Sequence, residues 1–510
     1  MLMRRSAPFL LVIAFTPTVA QQPVQQRAGD ADTLVFSLPS LVSVALRDNI
    51  SLRDASLGPR YAMSDLLSAR AGFDPTLALS TQRVSSADDV LGIRPQSYLR
   101  SDERLASLGV RLSTGSQLGL SFLNSSISSD PYTQTSTLPF PTSHASSLNL
   151  SFSQPLLRGL GRAGSYGLVD AASTAIEAAR FRYDRAADLV VAQVEHAYWL
   201  LRQAESDENV LRQSVEASRA IYDRNVALQA RDVATALDVL TSERGLATRE
   251  TQFWDAQRQR VDAAERLLFL VYGEGARDAL LTQARDAHTS ADTAVVPVVP
   301  TVAAAEEMAY AHRSDAAAAI RDVEAGRRRA QQARSQRLPR LDLIAGYGYG
   351  GTAPTTRFLN FGDSANVRSS TWTLGFSASA FQRNDAAAAV DQRAESDLES
   401  ARLAQASTAN AVREEVRAAV RALQTGRDRY LGAHRVASLA EREYSAAREG
   451  ARLGLITTFQ LLQYEDQLAQ ARLLLAQTRF ALEDAGTQYR LATGESRRGY
   501  LPAADATRQR

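Results

Sequence analysis

The 510-residue chain contains no cysteine and no lysine. The first absence excludes disulfides, thiolate chemistry, cysteine zinc sites and lipid anchoring through an N-terminal cysteine. The second leaves arginine as the basic side chain. The 58 basic residues nearly balance the 56 acidic ones, for a formal charge of +2. Arginines are spread along helical faces with Asp and Glu, and no basic block marks a nucleic-acid groove. The five histidines, His144, His196, His288, His312 and His434, have no paired spacing for zinc and read as isolated surface residues. Long apolar runs are missing too. Beyond the N-terminus no segment approaches 18 unbroken apolar residues, so any membrane insertion must use β-strands. Proline is absent from Arg162 to Val296, which permits unusually long helices.

At the N-terminus, Arg4 and Arg5 precede the apolar stretch APFLLVIAFTPTVA, and Thr18-Val19-Ala20 before Gln21 has the small-residue form of a cleavage site. Residues 1–20 are expected to be an export signal, since the run falls short of the roughly 20 residues a spanning helix needs.

The length suffices for two to four domains, but the clearest organisation is a repeated plan. A helical pattern from about Pro39 to Ala71 leads into GFDPTLALS, and another from about Val302 to Arg337 leads into RLPRLDLIAGYGYG. Strand-like sequence and a long helical pair follow in each half, closed by VYGE and LATGE. The expected divisions are a first repeat at 21–275, a linker at 276–301, a second repeat at 302–496 and a tail at 497–510. Strands are expected over about 76–155 and 340–381, and helical hairpins over about 163–272 and 385–494.

The strands show period two. Trp372, Leu374, Phe376, Ala378 and Ala380 alternate with Thr371, Thr373, Gly375, Ser377 and Ser379. Leu148, Leu150 and Phe152 alternate likewise, as do Leu341, Leu343, Ala345, Tyr347 and Tyr349. One apolar and one small polar face fits a membrane barrel or a half-buried soluble sheet; the export signal favours the barrel. LASLGVRLS and SQLGLSFLNS read as an additional hairpin turning near Thr114-Gly115. In SFSQPLLRGLGRAG (Ser151–Gly164), Gln154-Pro155 is expected to end a strand at a sheet edge, and Gly159, Gly161 and Gly164 to turn the chain into a helix.

From about Ser165 to Gln229 the pattern is helical for roughly 65 residues, about 100 Å. Coiled-coil spacing runs through Ala187, Val190, Val194, Ala197 and Leu201, and in the second half through Leu461, Tyr464, Leu468, Ala471 and Leu475. Such rods must bury their seams against one another, so antiparallel pairs are expected. The turns are ARDVATALDVLTSE (Ala230–Glu243) and ARLGLITTFQLLQYE (Ala451–Glu465). Thr235 and Thr457 are the expected N-caps of the returning helices.

GLGRAG lacks the GK[ST] of a phosphate loop and a surrounding βαβ unit. Glu414-Glu415 lies among arginines and reads as a solvated face. Neither supports catalysis.

The duplicated plan resembles the TolC family of bacterial outer-membrane efflux proteins. So do ARAGFDPTLALS and QRLPRLDLIAG before the strands, SQPLLRGLGRAG after one, and TALDVLTSE and TTFQLLQYE at the turns. The resemblance covers nearly the whole mature chain. It implies a membrane α+β fold: a trimeric outer-membrane β-barrel, about four strands per chain, continuous with a long periplasmic α-helical barrel. The strand-rich first half departs from that plan, as an elaborated loop or as extra barrel strands.

The resemblance further implies a non-enzymatic exit duct of a tripartite efflux or type I secretion system, without cofactors. Its partners would be two further copies of the chain, outer-membrane lipid, a periplasmic adaptor and an inner-membrane transporter. A periplasmic coiled-coil scaffold without a channel is the alternative. The acids of the family's narrow end fall on Asp238, Gln460 and Gln463, and a family arginine falls on Ile456, with Arg231 and Arg452 nearby. Asp238 reads either as a favourable acid at a helix N-terminus or as one member of an acidic ring that selects ions. Leu237, Leu240, Phe459 and Leu462 are candidates for adaptor contact or for closing the trimer's own core.

Overall fold

The computed structural model describes residues 35–88, 97–129, 142–273, 288–289, 298–353, 367–381 and 383–500. The expected export signal lies outside them. In chain order the elements are β1 (Val35–Phe36), α1 (Leu38–Asp48), α2 (Ile50–Ala55), α3 (Leu57–Ala71), β2 (Thr76–Asp88), β3 (Ser97–Arg111), β4 (Gln117–Ser129) and β5 (Thr142–Pro155). Next come α4 (Gly161–Ser165), α5 (Gly167–Gln229), α6 (Ala236–Tyr272) and β6 (His288–Thr289). The second half has α7 (Val302–His312), α8 (Ser314–Gln336), β7 (Arg340–Ala353), β8 (Val367–Ser379), α9 (Asp385–Arg452) and α10 (Thr458–Thr493).

The rods dominate. α5 runs 63 residues and α9 runs 68, each returning through a shorter helix, α6 or α10. Without Pro or interior caps nothing stops them, and their stability comes from the seam. Ala187, Val190, Val194 and Leu201 are buried on α5, as are Leu461, Leu468, Ala471 and Leu482 on α10. Two short helices thicken the rods near mid-length. Leu41, Val42 and Ala45 of α1 pack with Val190, Val191, Val194, Leu267 and Leu268. Ala305 and Ala309 of α7 pack with Val412, Val416 and Val420.

A short C-terminal segment straps the two halves together. Arg497 reaches Asp188 at 2.7 Å and Asp184 at 2.9 Å, and Tyr500 Oη donates to Glu195 at 2.7 Å. Glu195 is also held by Thr487 Oγ1 at 2.6 Å and by Arg490. A carboxylate this buried needs such partners.

Six strands form one antiparallel sheet in the order β2-β3-β4-β5-β7-β8, and β1 pairs with β6 separately. The first half therefore contributes four strands to that sheet and the second half two. The additional hairpin is β3–β4, closed by a turn at Leu112–Ser116. That turn docks on the strand-to-helix junction: Gly161 N donates to Thr114 O at 3.1 Å. Gly115 (φ 93°) could not carry a side chain, because a Cβ would lie 2.5 Å from Gly159 O. Gly159 and Gly161 take positive φ, as the turn into the helix requires.

Two expectations need correction. Pro155 is not at a sheet edge. β5 lies between β4 and β7, and the proline is tolerated because β4 pairing ends earlier, at Gln117–Ser153. His144 is not a surface residue; it is buried in register between Ser126 and Ala353. Glu415 lies on an exposed face among arginines, as expected. It pairs with Arg313, whose side chain is buried and also holds Asp315.

Candidate functional site

Two regions could act: the sheet and the far ends of the rods. The sheet has one apolar face whose register runs across every strand. Leu77, Leu108, Leu120, Leu150, Tyr347 and Trp372 lie directly opposite one another from β2 to β8. All six are exposed, from Leu120 at 42% to Trp372 at 76%. The neighbouring rows add Leu79, Ala106, Phe122, Leu148 and Tyr349 on one side, and Val110, Leu118, Phe152, Ala345 and Leu374 on the other.

The band slides along the strands, from Leu77 and Leu79 on β2 to Trp372, Leu374 and Phe376 on β8. Tilted strands require that stagger if an apolar belt is to stay level. Beyond the belt the same face turns polar, with Arg83 paired to Asp102 in register and Asn124 donating to Ser146 Oγ at 2.9 Å. The opposite face carries mostly small residues, among them Ser80, Ser107, Gly119, Ser121, Asn149, Gly348 and Thr371, although Leu105 and Leu123 form an apolar pair there. Among the described residues no helix is long and apolar enough to cross a membrane.

The rod ends repeat one backbone design twice. α5 ends with Asp232 in the left-handed region (φ 59°), and Val233 N donates to Leu228 O at 3.0 Å. α9 ends with Gly454 (φ 75°), and Leu455 N donates to Gly450 O at 2.9 Å. Each returning helix opens with a capping box. Asp238 N donates to Thr235 Oγ1 at 3.2 Å, while the Asp238 carboxylate accepts from Thr235 N at 3.1 Å and Thr235 Oγ1 at 2.6 Å. Thr457 and Gln460 make the neutral equivalent: Gln460 N to Thr457 Oγ1 at 3.3 Å, and Thr457 N to Gln460 Oε1 at 2.9 Å. The Thr235 hydroxyl, and then its backbone N–H, hold the Asp238 carboxyl below the usual range.

The other candidates divide by exposure. Arg231 and Gln463 are exposed, and Arg452 is exposed but bound to Glu449 at 2.7 Å on its own helix. Leu237 (72%), Phe459 (63%) and Leu240 (62%) stand in the open at the tip. Leu462 differs: it packs with Ile221, Ala447, Ala451 and Leu461, sealing one hairpin against the other. Asn225 bridges the hairpins: its amide donates to Asp238 O of the first at 3.5 Å, and its Oδ1 accepts from Thr458 Oγ1 of the second at 3.5 Å.

Sequence patterning overlooked one polar group. Glu465, two turns into α10, is buried, accepting from Ser214 Oγ and Arg249 Nε (3.3 Å), and Arg249 also binds Asp466. Burial pushes the Glu465 carboxyl up, against the pull of Ser214 and Arg249. Tyr464, the residue that the heptad spacing puts in the seam, is exposed. The signal for this slip was the acid itself, flanked by Tyr464 and Asp466 within a heptad run.

A sheet with one apolar face passes directly into antiparallel helical rods. Residues 306–495 match the family model of outer membrane efflux proteins. The outer-membrane channel OprN superposes with a TM-score of 0.64 at 19% identity, over 90% of each chain. The Campylobacter jejuni CmeC outer membrane channel gives 0.62 at 15% identity, over 92% of this chain and 88% of its own. The open state of the Neisseria gonorrhoeae MtrE outer membrane channel gives 0.62 at 17%, over 91% of both. No curated protein sequence matches the chain. The resemblance carried by the motifs is thus borne out: residues 306–495 are similar in sequence to outer membrane efflux proteins, and nearly the whole chain shares its fold with solved outer-membrane channels. The matched family is one of efflux channels rather than enzymes.

Proposed function

We propose that this chain is the outer-membrane exit duct of a tripartite efflux system. Three copies close a β-barrel in lipid and continue it as a tube of rods through the periplasm. The carrying observation is the exposed apolar belt, in register across the whole sheet and joined without a break to the rods. Lipid is the natural cover for such a belt, and the small polar face opposite suits a wet interior. The parallel element order of the two halves supports an internal duplication, and the N-terminal pattern supports export. The protein passes solutes and performs no catalysis.

In this reading the rod tips form the periplasmic end. Three copies of Asp238 ring the passage and favour cations, with Gln460, Gln463, Arg231 and Arg452 around it. The capping box and the ring are compatible, because a carboxylate held below its usual range stays charged. Leu237, Leu240 and Phe459 offer an exposed apolar surface to a periplasmic adaptor joined to an inner-membrane transporter, and Leu462 supports that surface from within.

Purified protein in a planar bilayer is expected to form discrete channels, and Asp238→Ala to shift their cation preference. Unchanged selectivity would leave Asp238 its capping role alone. A protein that carbonate strips from outer membranes, and that forms no channel, would instead be a periplasmic scaffold.

A further inference from the structure

We infer that all six strands of the sheet enter the barrel wall, so that three copies build an eighteen-stranded barrel whose membrane section is no narrower than the tube of rods. The inference rests on the exit-duct reading and adds to it where selection occurs.

The hairpin β3–β4 sits in the middle of the first half's strands and is bonded on both sides, to β2 and to β5. It therefore cannot fold into the lumen or hang outside the wall without breaking two strand ladders. Its outward residues Leu108, Val110, Leu118 and Leu120 stand in the same rows as those of β5 and β7, so it wears the same lipid belt. Its turn is built into the strand-to-helix junction through Gly115, Gly159 and Gly161, which an ornamental surface loop would not require. The free edges of the sheet are β2 and β8. β2 starts at the rod side and β8 returns to it, so β8 of one copy meets β2 of the next antiparallel, and three copies leave no edge.

Size agrees with this count. Strands about 4.8 Å apart and tilted about 40° give a backbone radius of about 18 Å for eighteen strands, against about 12 Å for twelve. Four rods per copy reach the strands, α3, α5, α8 and α9, and make a ring of twelve there. At about 10 Å spacing its radius is about 19 Å. An eighteen-stranded wall continues that tube at matched width, whereas a twelve-stranded wall would pinch it. With mostly small residues facing inward, the membrane section does not sort solutes by size, and discrimination falls to the rod tips.

The test is electron cryo-microscopy of the intact protein in lipid nanodiscs, with polymer exclusion in planar bilayers as a second reading. Eighteen strands in cross-section at membrane height are expected. Graded polyethylene glycols added on the extracellular side should enter, with a cut-off radius that falls by about a third when residues 89–141 are deleted, which joins β2 to β5. A threefold channel with twelve strands, or an unchanged cut-off in a channel-forming deletion, would overturn the inference and leave the duct reading intact. A particle with no central passage would overturn both.

Discussion

The two rod tips share a backbone and differ in chemistry. Each ends its outgoing helix with a left-handed residue and opens its returning helix with a threonine capping box. The first uses Asp232 and Asp238 where the second uses Gly454 and Gln460. One turn beyond the box the contrast reverses: Glu243 is exposed, whereas Glu465 is buried between Ser214 and Arg249. Charge that is on the surface in the first hairpin has moved inside in the second. The backbone motif is thus independent of charge, which lies outside at the first tip and between the hairpins at the second.

Substituting the two glutamates should separate the hairpins most strongly. Glu465→Ala leaves the largely buried Arg249 with Asp466 as its charged partner and Gln252 as a neutral one, and should cost about 3 kcal/mol in urea unfolding of the detergent-purified protein. Glu243→Ala should stay within about 0.5 kcal/mol. Equal losses would mean that the tips are not differentiated as described.

A smaller effect is expected at the left-handed residues. Gly454→Ala should destabilise by about 1 kcal/mol or more, and Asp232→Gly should be neutral or slightly stabilising, read by the same unfolding experiment. A loss at Asp232→Gly would show that its side chain, rather than its backbone, matters there.

The smallest effect is a pH dependence confined to the first tip. The folded protein holds the Asp238 carboxyl below its unfolded value. Its contribution is therefore complete above the ordinary carboxylate range and is lost as pH falls below about 4. Asp238→Asn should remove that part of the acid sensitivity, and Gln460→Glu should create its counterpart in the second tip. Each is an effect of about 0.3–1 kcal/mol, measurable as unfolding midpoints between pH 3 and pH 6.

The rods were readable because helical period and missing proline are local signals, and Leu468 and Ala471 fell in the seam where the spacing put them. Tyr464 did not. The burial of its neighbour Glu465 is decided by Arg249 on another helix, and no local pattern carries that pairing. The sheet divides in the same way. Leu148 and Trp372 announced their strands by alternation, but the far halves of β2 and β3, with Arg83, Asp102 and Arg104, break the apolar rhythm and are held by cross-strand ion pairing. The row from Leu77 to Trp372 depends on turn lengths and register, which alternation leaves open. At the tips, the threonine caps were legible from type and position. That Leu462 turns inward while Leu237 and Phe459 do not follows only from how the hairpins meet.

The unbroken span of α5 has a mechanical consequence. Its 63 residues make a lever about 95 Å long at 1.5 Å per residue. Swinging it by three degrees about the end next to the strands carries the far end sideways by about 5 Å. In the duct proposed above, an aperture bounded by such levers would widen past the size of a hydrated ion without unwinding a single turn, so whatever pushed on the tips would have only to lean while the strands stayed still.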